Sequence, residues 1–517
     1  MKNAVGRDIP KELLVNGREV YHGKNYMDGK YLQKVAPRTR RYEKPMESKV
    51  VSSIVQALKD CGAKSGMTFS FHHHLRDGDF VVNMVMKAAI EELGLENLTI
   101  AATSLGNAHD PIADYIEQGR VVGIQTSGIR GRIGEVVSAG KLKTPAIIRS
   151  HGGRPRAIEA GDVHIDIAFV AAPTSDCTGN CRGIGGKSNC GSMGYAMTDV
   201  KYADHVVVIT DCLVDFPNMP ASVEAIDVDA VVVVDSIGNP KKIASAAARV
   251  SQNPRDLMMA ENVARVIAST PYFKEGFSFQ TGVGGPSLDA NLFLEKYMDE
   301  RNIKMGWAIG GICRPMVDLL KKGKVGKVID VQDFDLDAVN SINQTPGHYE
   351  MSASQYANPA NKGAFVNKLD FVVLAALEID TSFNVNVLTG SDGVLRGAPG
   401  GHPDTAAGAK CCIIVTPLVR GRMATICEEV VTVTTPGECV DVVVTDYGIA
   451  VNPNRPDLLE ALQKTKLPLK TIEQLKEEAY AIVGRPDPLP FKDRVVAIME
   501  ARDGTILDVV RQIDTPV

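Results

Sequence analysis

Two glycine-rich loops carry the first chemical signal in this 517-residue chain. TGVGGP (281–286) follows a short apolar run and precedes a helical stretch from Leu288 to Met298. Glycines there bare backbone N–H groups at the positive end of a helix, which suits a phosphate or a developing oxyanion. A plain strand-to-helix turn would read the same way. GAPGGHPD (397–404) offers a second glycine pair, and the stretch before it, EIDTSFNVNVLTGSDGVLR (378–396), is too polar for a core without partners. Together they favour a site in which Gly282, Gly284, Gly285, Gly400 and Gly401 serve the chemistry, with Asn384 and Asn386 as substrate contacts.

Four arginines in glycine-rich company are the next candidates: Arg76 in RDGD, Arg130 in TSGIRG, Arg154 in SHGGRP and Arg396 in LRGAPGG. A guanidinium pairs with a carboxylate through a bidentate fork, so as a set they suggest a polyanionic ligand. Any one of them alone would read as a surface ion pair. His151 stands beside Arg154 in the same motif. Within His72-His73-His74, neighbours on a strand point to opposite faces and do not converge on a metal ion. One of these imidazoles, taken as His72, could line the cleft as a donor to a carboxylate.

Other motifs fail on inspection. CRGIGGKSNC (181–190) places Cys181 where a phosphate-binding P-loop needs glycine. Cys177, Cys181 and Cys190 lack the paired spacing of a zinc site, so no metal is expected.

Short Val/Ile-rich runs alternate with helical stretches, which predicts an α/β fold with mainly parallel sheets flanked by helices. Strands are expected at 67–71, 98–102, 121–126, 146–149, 165–171, 205–209 and 230–234, with a helix over 80–93. The chain also repeats itself. Phe69-Ser70-Phe71 is echoed by Phe277-Ser278-Phe279, and IDIAFVAAPTSDCTGN (165–180) lies over LDFVVLAALEIDTSFN (369–384), pairing Asp166 with Asp370, Asp176 with Asp380 and Asn180 with Asn384. ADHVVVITD (203–211) resembles VDVVVTD (440–446). Two similar domains follow, spanning 49–250 and 251–517, with the join near Asn239-Pro240 or Asn253-Pro254. The last strands form a hairpin turning at Asp503-Gly504.

Residues 1–48 precede both domains as a basic arm: the first 50 residues hold 12 Lys and Arg against 6 Asp and Glu. Such an arm could steer an acidic partner, or be a solvated tail or subunit contact. The whole chain carries −5, which argues against nucleic acid as a partner. With 44% hydrophobic and 23% charged residues it is an ordinary globular composition. No apolar run suits a membrane span or an export signal, so a cytoplasmic protein with ten reduced cysteines is expected.

SFHHHLRDGD, TSGIRG, SHGGR, YFKEGFSFQTGVGG, SASQYAN, ALEIDTSFNVNVLTGSDGVLRGAPGGH and TDYGIAVNP together resemble the citrate lyase alpha subunits, citrate transferases of the coenzyme A transferase superfamily. The resemblance runs from about residue 50 to the end and leaves the arm least matched. It implies two coenzyme A transferase-type domains with a site between them. It also implies a lyase beta subunit and an acyl carrier (gamma) subunit as partners, the latter bearing a dephospho-coenzyme A-type prosthetic group. The implied reaction exchanges acetate for citrate on the carrier's thioester; the beta subunit then cleaves the citryl thioester to oxaloacetate and acetyl carrier. Many superfamily members place a nucleophilic glutamate on the second-domain strand after the first glycine loop, where this chain reads KMGWAIGGICRP (304–315) without a carboxylate. Direct transfer between bound substrates is therefore expected, with Glu378 as the competing nucleophile. A citramalate lyase alpha subunit, another acid coenzyme A transferase, or a non-catalytic metabolite-binding scaffold are the other readings.

Overall fold

A computed structural model describes residues 1–38, 44–244, 251–282, 284–342 and 344–514. The boundary expected at residue 250 and Val283 of the first glycine loop lie outside them.

The first half supplies β1 (Val50–Val51), β2 (Thr68–Phe71), β3 (Leu98–Ala102), β4 (Val121–Thr126), β5 (Ala146–Ile148), β6 (Ile167–Ala172), β7 (His205–Thr210) and β8 (Ala230–Val233). The second supplies β9 (Phe277–Thr281), β10 (Met305–Ile312), β11 (Val325–Asp333), β12 (His348–Glu350), β13 (Phe371–Ala375), β14 (Cys411–Val415), β15 (Val442–Val444) and β16 (Ile449–Val451), and the chain ends in β17 (Val495–Glu500) and β18 (Ile506–Arg511). One sheet has ten strands in the order β1-β8-β7-β6-β2-β3-β4-β5-β17-β18; the other has eight, β12-β11-β10-β9-β13-β14-β15-β16. Pairing is parallel except for β17 with β18 and β15 with β16. Continuous apolar runs such as IAFVAA in β6 are buried on both faces, as central parallel strands must be. Among the helices are α1 (Gly131–Ser138), α2 (Gly153–Ala160), α3 (Pro254–Ser269), α4 (Gly285–Arg301) and α5 (His402–Gly408). The expected helix over 80–93 is present as an α-helix (Val81–Lys87) running into a π-turn (Ala88–Glu92). Asn253-Pro254 starts α3, the Asn253 side chain accepting from the Arg255 N–H.

The repeat survives in the hydrogen bonds. Asp166 accepts the Thr68 N–H at 2.7 Å, and Asp370 accepts the Ser278 N–H at 2.9 Å. Asp176 and Asp380 each cap the turn that follows them and each bind the amide of an asparagine four residues on, Asn180 and Asn384. One alignment shifts. By strand order β7 corresponds to β14 and β8 to β15, so 203–211 is not the counterpart of 440–446; Asp229 and Asp441 are the equivalent pair, capping the N–H groups of Val206 and Cys412.

The second domain does not keep the chain's last strands. β17 pairs in parallel with β5 and thereby covers what would be an open edge of the first sheet. The basic arm is not a free tail either. Ile9 and Val20 are buried against the hairpin, the Tyr21 N–H donates to the Ile506 carbonyl while the Ile506 N–H donates to the Glu19 carbonyl, and Arg7, Arg18, Lys34 and Arg38 pair with Asp508, Glu500, Glu159 and Asp204. Those partners take up much of the charge that a steering role would require. No helix among the described residues is long and apolar enough to cross a membrane.

Glu500 ties these pieces together: it is buried, receives Arg149 through Nε at 2.5 Å and Nη2 at 3.1 Å, and receives Arg18 of the arm at 2.8 Å. Glu500→Gln leaves a buried guanidinium without its counter-ion, a change expected to cost about 3–5 kcal/mol. Urea unfolding followed by circular dichroism would measure it, and a loss below about 1 kcal/mol would show that the hairpin is held by packing alone.

Candidate functional site

The carboxyl ends of the two sheets face one another across a cleft of about 470 Å³. In each sheet the strand order reverses beside the central strand, β2 or β9, and the crevice outside strand ends at such a reversal is where α/β folds bind ligands. The residues that line it follow from this geometry. His73 comes just beyond β2, Ser104 beyond β3, Ser127 and Arg130 beyond β4, and His151 beyond β5. From the other half come Gln280 and Gly282 at the end of β9, Gly311 on β10, Phe334 after β11, and Gly400 to His402 leading into α5.

Arg76 and Arg130 reach into this space, and neither guanidinium has a hydrogen-bonding or ion-pair partner among the described residues. Arg76 lies 4.4 Å over the Phe334 ring, and its backbone takes a left-handed φ of 52°, which a bulky residue adopts only when its surroundings hold it there. Burial pushes Arg76 down to about 10, and the like charge of Arg130 adds to the shift. Burial also lowers Arg130, while Asp77, the one carboxylate among the described residues lining the cleft, opposes that shift. Two desolvated cations facing one cavity call for an anion.

The imidazoles are prepared differently. Tyr195 Oη lies 2.6 Å from His151 Nδ1, and Thr103 Oγ1 lies 2.6 Å from His73 Nδ1. Burial, with Arg154 and Arg130 nearby, pushes His151 down to about 3. His73 falls well below its ordinary value for the same first reason, helped by His151 and Arg76. Both rings are therefore neutral near pH 7.

The other expected residues lie elsewhere. Arg154 is buried in a fork on Asp199, at 2.6 and 2.5 Å, with a further bond to the Ala101 carbonyl; it braces the strands beneath His73. Arg396 pairs on the surface with Asp392 and Glu135. His72 points into the core, where neither ring nitrogen makes a hydrogen bond and Nε2 stands 4.0 Å from Asp199, so alternation past β2 delivers His73 to the cleft and not His72. Asn384 accepts the Gly437 N–H and binds Asp380, as Asn180 does for its own loop, so its role is structural. Asn386 closes a turn with Thr389 and donates to Glu378, whose Oε2 also accepts the Val431 N–H. None of these lines the cleft.

The glycine loops also act otherwise than expected. The Gly282 N–H is bound by the Val373 carbonyl at 2.7 Å, and the Gly400 N–H faces the Ser127 carbonyl at 3.4 Å. Gly284 and Gly285 start α4 with left-handed φ values of 116° and 52° but stand outside the cavity. Gly397 and Gly400 instead give their carbonyls to the N–H groups of Ile129 and His151 across the two halves. At Gly401 a β-carbon would stand 2.5 Å from the Tyr356 hydroxyl. Tyr195, Gln280, Tyr356 and Ser127 carried no signal as single residues, although Ser127, Gln280 and Tyr356 sit inside the motifs TSGIRG, YFKEGFSFQTGVGG and SASQYAN.

Comparison with known proteins accords with this architecture. The family model described as citrate lyase, alpha subunit (CitF) matches residues 47–513. The citrate lyase alpha chain of Haemophilus influenzae is 52% identical over 467 residues, 90% of this chain and 93% of that one. That of Escherichia coli K12 is 50% identical over 475 residues, 92% and 93% of the two chains. An alpha subunit of citrate lyase from Streptococcus mutans, solved in complex with citrate, superimposes with a TM-score of 0.95 at 50% identity over 99% of both chains. The 4-hydroxybutyrate CoA-transferase of Porphyromonas gingivalis shares the fold alone, with a TM-score of 0.52 at 17% identity over 85% of this chain and 95% of that one. The chain belongs to the citrate lyase alpha subunit family.

Proposed function

We propose that the cleft binds citrate and transfers an acyl carrier's thioester from acetate to it, as the citrate CoA-transferase component of a citrate lyase. The carrying observation is the pair of unpartnered guanidiniums, Arg76 and Arg130, facing a cavity of a size for a small polyanion. Each would take one carboxylate of citrate, and the third would be left to react.

The chemistry needs no group from the protein to become covalently attached. A citrate carboxylate oxygen attacks the acetyl thioester carbonyl, and the tetrahedral oxyanion collapses to a mixed anhydride with loss of the thiolate. That thiolate attacks the citryl carbonyl of the anhydride and expels acetate, leaving the citryl thioester for a lyase subunit to cleave. The carrier subunit and its dephospho-coenzyme A-type arm would enter from the open side of the cleft. His73 and His151 supply the donors. The Thr103 hydroxyl already accepts the His73 backbone N–H, so its own proton is free for His73 Nδ1. If Tyr195 likewise donates to His151 Nδ1, both rings present Nε2–H to the cleft, where neutral donors stabilise an oxyanion without first having to lose water.

The strand that carries glutamate in many relatives of the superfamily reads MGWAIGGI here, without a carboxylate, and turns Gly311 toward the cleft. A β-carbon at Gly311 would come within 1.9 Å of the Phe334 ring, so no acidic side chain fits there. Glu378 is held outside the cleft.

Two outcomes are expected. The purified chain, mixed with citrate and acetyl carrier protein but no lyase subunit, converts the carrier's mass from acetyl to citryl, and borohydride traps no adduct on Glu378. An unchanged carrier mass, with citramalate and succinate also inert, would sink the transferase reading. Second, Arg76→Ala and Arg130→Ala each weaken citrate binding by about 10- to 100-fold in calorimetry, in line with a lost charged hydrogen bond. Arg396→Ala leaves it within about twofold, as for a surface pair.

A further inference from the structure

His151 enters the cleft on a segment, Ser150 to Gly152, in which each residue is bound to the other half of the chain. Ser150 Oγ donates to Asp404 Oδ1 at 2.8 Å, and the Gly152 N–H donates to Asp404 Oδ2 at 2.8 Å. Between them the His151 N–H donates to the Gly400 carbonyl, also at 2.8 Å. Asp404 belongs to the first turn of α5, is fully buried, and does not line the cleft. Arg502, at the turn of the C-terminal hairpin, faces it with Nε 3.7 Å from Oδ1.

The fit is close. A β-carbon at Gly152 would stand 2.1 Å from the Ala357 carbonyl and 2.6 Å from Asp404 Oδ1, so the carboxylate lies flush against the backbone. Ser150 Oγ also accepts the Gly153 N–H at 2.9 Å, which extends the grip to the start of α2. A buried carboxylate with two protein donors binds them more strongly than a neutral acceptor would.

We propose that Asp404 is a positioning residue: by holding the backbone on both sides of His151 it fixes where the imidazole Nε2 stands in the cleft. The site is then complete only when α5 of the second half is seated against the loop after β5. The expected effect on turnover rests on the transferase reading above; the effect on the ring's pose does not.

Both can be measured on the full-length chain. With isotope-labelled histidine, the His151 ring resonances, assigned by their loss in His151→Ala, shift and broaden in Asp404→Asn. An amide presents one acceptor oxygen where the carboxylate presents two, so one of the two donors is released. His348 resonances, which report the far side of the second sheet, stay in place and serve as the folding control. Ser150→Ala, the milder variant should Asp404→Asn fail to fold, moves His151 in the same direction. His151 signals that overlay the wild type in a folded variant would overturn the proposal.

In the transferase assay Asp404→Asn lowers kcat by about 10- to 100-fold, the scale of a misplaced catalytic group, while KM for citrate changes by less than about threefold. In a His151→Ala background it adds no further loss. An equal loss in both backgrounds would overturn the positioning role in favour of a general structural one. If the wild-type chain transfers nothing, the transferase reading fails, and the resonance measurement alone decides the role of Asp404.

Discussion

The site depends on backbone-to-backbone contact between the loop at 397–404 and the strand ends of the first half. Gly397 and Gly400 accept hydrogen bonds from Ile129 and His151, and a β-carbon at Gly128 would lie 2.3 Å from that of Ala398. Two chains approach this closely only where a side chain is missing. On the other flank, Asp333 accepts the Ser192 N–H and Glu350 the Met193 N–H, so the halves are also joined beside β11 and β12. Burial pushes Asp330 up to about 7 and Asp333 well above its ordinary range, which lets this acidic junction hold a proton and close without a full complement of negative charge. A cleft wall made from both halves is held in register by these bonds.

Within that frame, arginines of similar sequence context meet different fates. Arg154 is neutralised by Asp199 in a buried fork, and Arg396 by acidic neighbours in solvent. Arg76 and Arg130 keep no ion pair among the described residues, at the cost of desolvation that lowers the proton affinity of both; the charge of Arg130 lowers Arg76 further, and Asp77 offsets part of each shift. Such an arrangement lessens the stability of the empty protein and strengthens its attraction for an anion. The neutral histidines add donors without adding to the repulsion.

How much of this could be read beforehand follows from what local sequence encodes. The strands β2 to β8 of the first half were legible within a residue or two because each is a bounded apolar run, whereas the two-residue β1 was not; the repeat was legible because Asp166 and Asp370, or Asn180 and Asn384, perform the same capping in both halves. That same repeat identifies Asn384 as structural, a consequence that its polar surroundings obscured. The placement of β17 beside β5 was not legible, since edge pairing across more than three hundred residues leaves no local mark. Nor was the choice among His72, His73 and His74, which hangs on where β2 stops and which face of its continuation meets the cleft. Arg76 and Arg130 could be nominated by composition, but separating them from Arg154 and Arg396 required knowing where Asp199, Asp392 and Glu135 lie.

The bare strand at Gly311 and the seat of the Arg76 guanidinium trace to one steric fact. Gly311 leaves room for the Phe334 ring, and that ring supports Arg76 from below. A glutamate at Gly311 would displace the ring, remove the support, and set a second carboxylate, beside Asp77, near the two cations. The protein's own anion would then compete with the substrate's for Arg76 and Arg130. With glycine in that place, the positive charge is left for a ligand, and in the proposed direct transfer the attacking carboxylate arrives as part of the substrate. The proposed direct transfer and the proposed preference for a polyanionic acid would then rest on the same packing, without a separate device for either.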